Sequence, residues 1–324
     1  MLNLQKQLDL ISKELSVKDI DGIDYFARYV EMDAYDGCNL DCIMCPLGKS
    51  IYKGGGPIPQ KLFKKIVDEL AEYSDWIYQV CLSRNGEPLL NKNIASMIKQ
   101  LKDVGIKRVN FSTNATALTE KKAHELLESG LDEIRFSIDG VTKETFEKVR
   151  QGVEYERVLK NCLKFIEIRE KYKDAKTQVQ IRFVEQKANS HEVQIWKNFW
   201  LTKVRKTDVV ASKKMHSWSN ELDGLKNKST DPKFVSDRSN IHPCISPFSS
   251  LEILYDGTVP LCGSDYLRTV TFGNVYKNTL KEIWNSKEFK KVRDLHKSGN
   301  RNQIDACIGC KIWDKDIKTV HYNK

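Results

Sequence analysis

The chain has no apolar run near the roughly 18–20 residues needed to cross a bilayer, and it shows no internal repeat and no low-complexity segment. Membrane spans and repeat arrays are therefore excluded as organising features. Histidine is scarce, six in 324 residues, and the first after Cys45 is His124. The opening segment is not expected to be a signal peptide. Leu4, Leu8, Ile11 and Leu15 recur at helical spacing between acidic residues, so Met1 to Val17 reads as an amphipathic helix. Nucleic-acid-binding motifs are missing, and the net charge of +9 is spread along helix faces among carboxylates. The expectation is a cytoplasmic protein with neither a membrane nor a nucleic-acid partner. The cationic excess is compatible with an anionic small-molecule substrate.

What is present is cysteine. Nine of them in such a chain argue for metal or redox chemistry rather than disulfides. Three form Cys38-Asn-Leu-Asp-Cys42-Ile-Met-Cys45, directly after a strand-like run, Arg28 to Ala34. Three thiolates can hold three irons of a cubane and leave the fourth iron open, and an open position is what metal catalysis needs. A zinc site would favour paired C-x2-C units or added histidine, but His124 lies 79 residues beyond Cys45. Four more cysteines, Cys244, Cys262, Cys307 and Cys310, follow the spacing C-x17-C-x44-C-x2-C. Four thiolates close a site, as a fully ligated cubane or as a zinc ribbon. Cys162 lies on an amphipathic helix and reads as packing. Cys81 reads as core, or as a thiol able to return a hydrogen atom to a substrate radical.

From Tyr25 onward, strand-like and helix-like segments alternate. The strands are expected at 28–34, 76–83, 107–113, 133–138, 177–184 and 207–210. The intervening helices are expected at 59–73, 94–104, 120–129, 155–172 and 191–201. Alternation of this kind predicts an α/β fold with a parallel sheet, and six units fit a partial (β/α)6 TIM-like barrel whose chemistry sits at the strand ends. The pattern lapses after Val210. Residues 211–240 read as a linker, and Asp256-Gly257 between apolar runs predicts a hairpin, with a helix over 280–295 beyond it. The expected parts are an N-terminal helix over 1–24, a core barrel over 25–212, a linker over 213–243 and a small hairpin-plus-helix domain over 244–324.

The C-x3-C-x2-C motif and its position resemble the radical S-adenosylmethionine (SAM) superfamily. The resemblance implies a 4Fe-4S cluster on Cys38, Cys42 and Cys45, whose open iron binds SAM and yields a 5′-deoxyadenosyl radical. Asn85-Gly86-Glu87-Pro88 resembles the family's Gly-Gly-Glu-Pro loop, where a backbone carbonyl or Glu87 would accept from the SAM ammonium. Asn85 replaces the first glycine. Asn114 in Ser112-Thr-Asn114, and Ser137 and Asp139 at the next strand end, would face SAM. Met44 stands where an aromatic residue often flanks adenine. Arg182 would pair with a carboxylate of SAM or with substrate.

The four later cysteines resemble the shortened SPASM, or twitch, domain, which binds a second, auxiliary 4Fe-4S cluster. Their arrangement is especially similar to that of enzymes oxidising an aminocyclitol alcohol to a ketone. The implied activity is oxidation of a sugar, cyclitol or similar polyol, with Arg182, Lys214 or His216 bordering the substrate. An external one-electron reductant such as flavodoxin or ferredoxin would be needed. Three alternatives stay open: a peptide-modifying maturase, a redox-neutral sugar epimerase using Cys81, and a non-catalytic iron–sulfur or zinc protein.

Overall fold

The computed structural model describes residues 4–18, 20, 25–48, 50, 52–172, 175–216, 218, 228, 230, 242–308, 310 and 320–321. Most of the expected linker lies outside the described residues.

Six parallel strands follow the expected alternation: β1 (Tyr29–Met32), β2 (Gln79–Cys81), β3 (Val109–Thr113), β4 (Glu133–Ser137), β5 (Gln178–Glu185) and β6 (Val209–Lys214). Helices α1 (Leu4–Leu15), α2 (Gln60–Ala71), α3 (Ile94–Asp103) and α4 (Glu120–Glu128) are as expected. So are α6 (Tyr155–Lys171) and α7 (Val193–Leu201), whereas α5 (Lys143–Val149) is an addition. Thr142 caps α5 by accepting from Thr145 N, a short start signal hidden between two strong strands. The strands' apolar side chains, such as Phe111, Ile134, Phe136, Ile181 and Phe183, form one core with Leu62, Ile66, Leu101, Phe165 and Trp196 of the helices. β6 runs four residues past the expected end at Val210, because its register with β5 continues through Lys214 and Glu185.

The C-terminal region differs in its pairing. The chain does turn at Asp256-Gly257, with Gly257 N donating to Leu254 O at 2.9 Å. The two flanking strands, however, do not form one ladder. The first, β7 (Ser250–Ile253), joins the main sheet as a seventh parallel strand beside β1, pairing Glu252 with Glu31. The second, β8 (Thr258–Pro260), pairs antiparallel with β9 (Thr271–Asn274), so the small hairpin closes over a longer loop that carries Cys262. An apolar strand with no partner buries its backbone more completely at a sheet edge than in a two-residue turn. The expected final helix is two: α8 (Leu280–Trp284) under a Thr279/Glu282 capping box, then α9 (Lys287–Lys297) capped by Ser286. The sheet order is β7-β1-β2-β3-β4-β5-β6, with β10 (Val320–His321) antiparallel on β6.

Candidate functional site: an open three-thiol cavity beside a four-thiol site

Beyond β1 the chain enters the loop of Cys38, Cys42 and Cys45. Asp41–Cys42 pairs antiparallel with Arg150–Gln151, and Ile43 N donates to Val149 O at 3.0 Å. Each sulfur has an N–H beside it: Asn114 Nδ2 lies 3.7 Å from Cys38 Sγ, Arg150 Nη1 3.7 Å from Cys42 Sγ, and Leu47 N 3.4 Å from Cys45 Sγ. Such donors stabilise sulfur carrying negative charge. Burial pushes all three thiols up to about 11, so a bound metal would have to displace their protons.

The three thiols open onto a cavity of about 310 Å3 at the carboxyl ends of the strands. Gly86 and Glu87 form one edge. Gly86 has φ +72, and a Cβ there would lie 2.3 Å from Tyr35 O and 2.4 Å from Gly37 O. Only glycine permits that approach. Glu87 lines the cavity, but its carboxylate is committed: it accepts from Thr113 Oγ1 (2.6 Å), Leu89 N (2.9 Å) and Asn114 N (2.7 Å). The backbone carbonyls of this loop are thus the acceptors left for an ammonium. Asn85 and Pro88 differ from the expectation that they contact ligand, for neither lines the cavity. Asn85 is buried and donates its N–H to Asp33 Oδ1 at 2.7 Å, and Pro88 begins a short 3-10 turn to Leu90.

Asn114 and Ser137 line the cavity, as does Met44, which packs with Met215 and Trp218. Trp218 Nε1 donates to Met44 O at 2.9 Å, fixing this apolar wall. Asp139 must be reassigned. It is fully buried (0% exposed), accepts from Val184 N at 2.6 Å and pairs with Arg150 at 2.7 Å. It therefore aims Arg150, which lines the cavity next to Cys42 and was not legible as a site residue in sequence.

Beneath the cavity the inward face of the sheet is charged. The register aligns Glu252, Glu31 and Cys81 across β7, β1 and β2, and Arg135 with Gln180 across β4 and β5. Arg84 pairs with Glu252 at 3.1 Å, and Arg135 pairs with Glu133. Burial pushes Glu31 up, and burial together with Glu31 pushes Glu252 well up. A parallel sheet covered on both faces ordinarily reads as continuous apolar runs. Here single charges at Glu31, Arg135, Arg182 and Glu252 interrupt apolar neighbours, and that interruption was the signal available in sequence.

Arg182 lines the cavity. Lys214 is exposed; the next residue inward on the alternating strand, Lys213, takes the cavity position, with His216 nearby. His216 is pulled down to about 3 by burial and then by Lys213, and its Nδ1 accepts from Trp218 N at 3.2 Å, which assigns the ring proton to Nε2. Cys81 departs from its expected catalytic place. It is 2% exposed, lies beside Ser83 and Arg135 under the floor, and is absent from the cavity lining.

Cys244, Cys262, Cys307 and Cys310 come together in the C-terminal region, where the thiols of Cys244, Cys262 and Cys307 are raised by burial and then by neighbours among the four, as Cys262 is by Cys310 and Cys244. Buried His296 of α9 organises them: its Nδ1 accepts from Cys244 N at 3.0 Å and its Nε2 lies 3.7 Å from Cys307 Sγ. Arg301 donates to Cys310 O. None of the four lines the cavity, but Arg84 does, and its Nη2 donates to Cys262 O at 3.0 Å. Among the described residues, no three His, Cys, Asp or Glu side chains converge as ligands of one metal ion.

Comparison with known proteins agrees with this division. Residues 32–173 match the model of the radical SAM superfamily, and residues 244–311 match SPASM, an iron-sulfur cluster-binding domain. A probable GTP 3′,8-cyclase of Methanococcus maripaludis is 32% identical over 131 residues, 40% of this chain and 43% of the cyclase, so the match spans less than half of that relative. An S-adenosyl-L-methionine-dependent 2-deoxy-scyllo-inosamine dehydrogenase of Niallia circulans is 22% identical over 292 residues, 89% of this chain and 94% of that enzyme. The crystal structure of BtrN in complex with AdoMet and 2-DOIA superposes with a TM-score of 0.61 at 20% identity, covering 93% of this chain and 99% of BtrN, which shows the shared fold. The chain thus carries a radical SAM domain over residues 32–173 and a SPASM domain over residues 244–311, a pairing that implies a 4Fe-4S cluster with SAM in the first part and auxiliary iron–sulfur in the second.

Proposed function

We propose that this protein is a radical SAM oxidoreductase that converts a secondary alcohol of a small sugar or cyclitol to a ketone. In this reading Cys38, Cys42 and Cys45 would hold the SAM-binding 4Fe-4S cluster, and Cys244, Cys262, Cys307 and Cys310 would hold an auxiliary one able to supply a one-electron acceptor. The donor sets suit both: N–H groups attend the first three sulfurs, and four thiols gathered around His296 and Arg301 can fill every ligand position of a closed cluster. When bound, the first cluster and SAM would supply a hydrogen-abstracting radical in the cavity.

The protein's own residues then do the rest. Met44, Met215 and Trp218 offer an apolar wall for adenine. The loop carbonyls around Gly86 take the SAM ammonium, and Asn114 and Ser137 take its polar edge. Arg150 steadies Cys42. The buried floor and walls keep water from a reactive intermediate.

The observation that carries the oxidative reading is Arg84. One side chain both lines the cavity and donates to the carbonyl of Cys262, so a single residue links the cavity to the backbone of the four-thiol site. The full-length similarity to an inosamine dehydrogenase supports the same class. Cys81 lies under the floor, so the epimerase reading has no thiol in the cavity lining other than the three assigned to the cluster.

The test is an anaerobic incubation of the holoenzyme with dithionite, SAM and a panel of cyclitols and sugars. One ketone per 5′-deoxyadenosine is expected. Cys262→Ala should still form 5′-deoxyadenosine while ketone falls at least about ten-fold. Product of unchanged oxidation level would replace this reading with a redox-neutral one.

A further inference from the structure

The charges on the cavity floor do not balance. Four cations, Arg84, Arg135, Arg182 and Lys213, surround the single carboxyl of Glu31. Arg84 is already paired with Glu252 and Arg135 with Glu133. Arg182 and Lys213 remain. They sit on neighbouring strands, with Arg182 opposite Ala211 and Lys213 opposite Val184, so they are diagonal neighbours on one face. Both line the cavity. Among the described residues, the one side-chain hydrogen bond of Arg182 runs from Nε to Gln180 Oε1 at 3.0 Å, and Lys213 Nζ has neither hydrogen bond nor ion pair. The other nearby carboxylates are taken: Glu133, which also faces Arg182, by Arg108 and Arg135, and Asp139 by Arg150 and Val184 N.

Two desolvated cations sharing one buried carboxyl hold unspent attraction for an anion. Burial brings Arg182 to about 10 and Lys213 to about 8, with repulsion from Arg135 adding to the first and from Arg182 to the second, so both still carry charge at neutral pH. An ammonium ligand would meet repulsion from both.

We propose that Arg182 and Lys213 form an anion subsite, and that the polyol bound in this cavity carries a carboxylate or phosphate rather than an amine. This rests on the reading of the cavity as a polyol site. It separates this protein from a relative named for an inosamine. The same anion chemistry could come from the carboxylate of SAM, and the test tells the two apart.

Calorimetry on the anaerobic holoenzyme with SAM bound would compare three matched probes: myo-inositol 1-phosphate, myo-inositol and scyllo-inosamine. The phosphate is expected to bind about ten-fold or more tighter than the neutral ring, with the amine weakest. Lys213→Gln and Arg182→Gln should each erase most of that preference, and Lys213→Arg should keep it. SAM affinity measured without a probe should change less than about two-fold in Lys213→Gln. Equal binding of the three probes, no binding of the phosphate, or tighter binding of the amine overturns the proposal. So does a ten-fold loss of SAM affinity with the probe preference intact, which assigns the pair to SAM. Because binding needs no turnover, the predicted affinity order without any ketone would sink the oxidation reading alone.

Discussion

The two thiol sites are assembled by opposite means. Cys38, Cys42 and Cys45 lie within eight residues of one loop, and that loop is stitched to distant backbone at Arg150–Gln151. The four C-terminal thiols are gathered over 67 residues, from 244 to 310, around His296 and Arg301. The local site opens onto a cavity, and the gathered site lies away from it. A short loop can present only one side to its metal, leaving the other side for a ligand. Ligands drawn from several elements surround the metal and close it off. Arg84 is the piece common to both.

Arg84→Met breaks that connection and should have the largest effect. It leaves Glu252 buried without its cation and Cys262 O without a donor, a loss of about 3–5 kcal/mol. Denaturant unfolding reads the loss, and Arg84→Lys should recover part of the stability but not the yield of ketone per SAM cleaved. Gly86→Ala should act on the cavity side only. The strained φ and the clash with Tyr35 O and Gly37 O should cost about 2–4 kcal/mol. Iron counts should show the auxiliary site still loaded while SAM binding is lost. A variant losing both would mean that the sites fold as one.

His296→Leu is its counterpart. It strands Cys244 N and removes the contact with Cys307, at about 1–3 kcal/mol. About four irons should disappear while SAM cleavage persists; unchanged iron would remove His296 from the account of that site. His216 gives a smaller, pH-dependent effect. Its imidazole takes a proton near 6.5 when unfolded but only near 3 in the fold, so unfolding takes up a proton between those values. Stability should therefore fall as pH drops below about 6.5, and the slope should flatten in His216→Gln. Melting temperatures at pH 7.5 and 5.5 that move equally in both proteins would contradict this. Cys81→Ala should matter least, about 1–2 kcal/mol with ketone formation unchanged. Loss of product in a folded variant would return Cys81 to the chemistry.

Much of this was legible in order along the chain. The strand–helix alternation and both cysteine sets are local patterns, since period and spacing depend on neighbours only. Asp139 and Cys81 misled because residue type and position at a strand end do not say which way a side chain is committed; Arg150 and Ser83 claim them in three dimensions. Lys213 and Lys214 differ only in the alternation of one strand, and the expected strand end at Val210 hid that alternation. The pairing of β7 with β1 was invisible because a turn signal names the turn and not the ladder beyond it.

By itself the sequence determined the three-thiol loop, the four-thiol spacing and the strand–helix alternation. Those depend on chain geometry over a few residues, or on counting ligands. The tertiary structure decided that Glu252 stands beside Glu31, that Arg84 touches Cys262, and that Arg182 and Lys213 share one carboxyl in a cavity. These are long-range juxtapositions, fixed by sheet register and burial. In a desolvated floor the energy of a charge depends on which charge stands next to it, and only the fold chooses that neighbour.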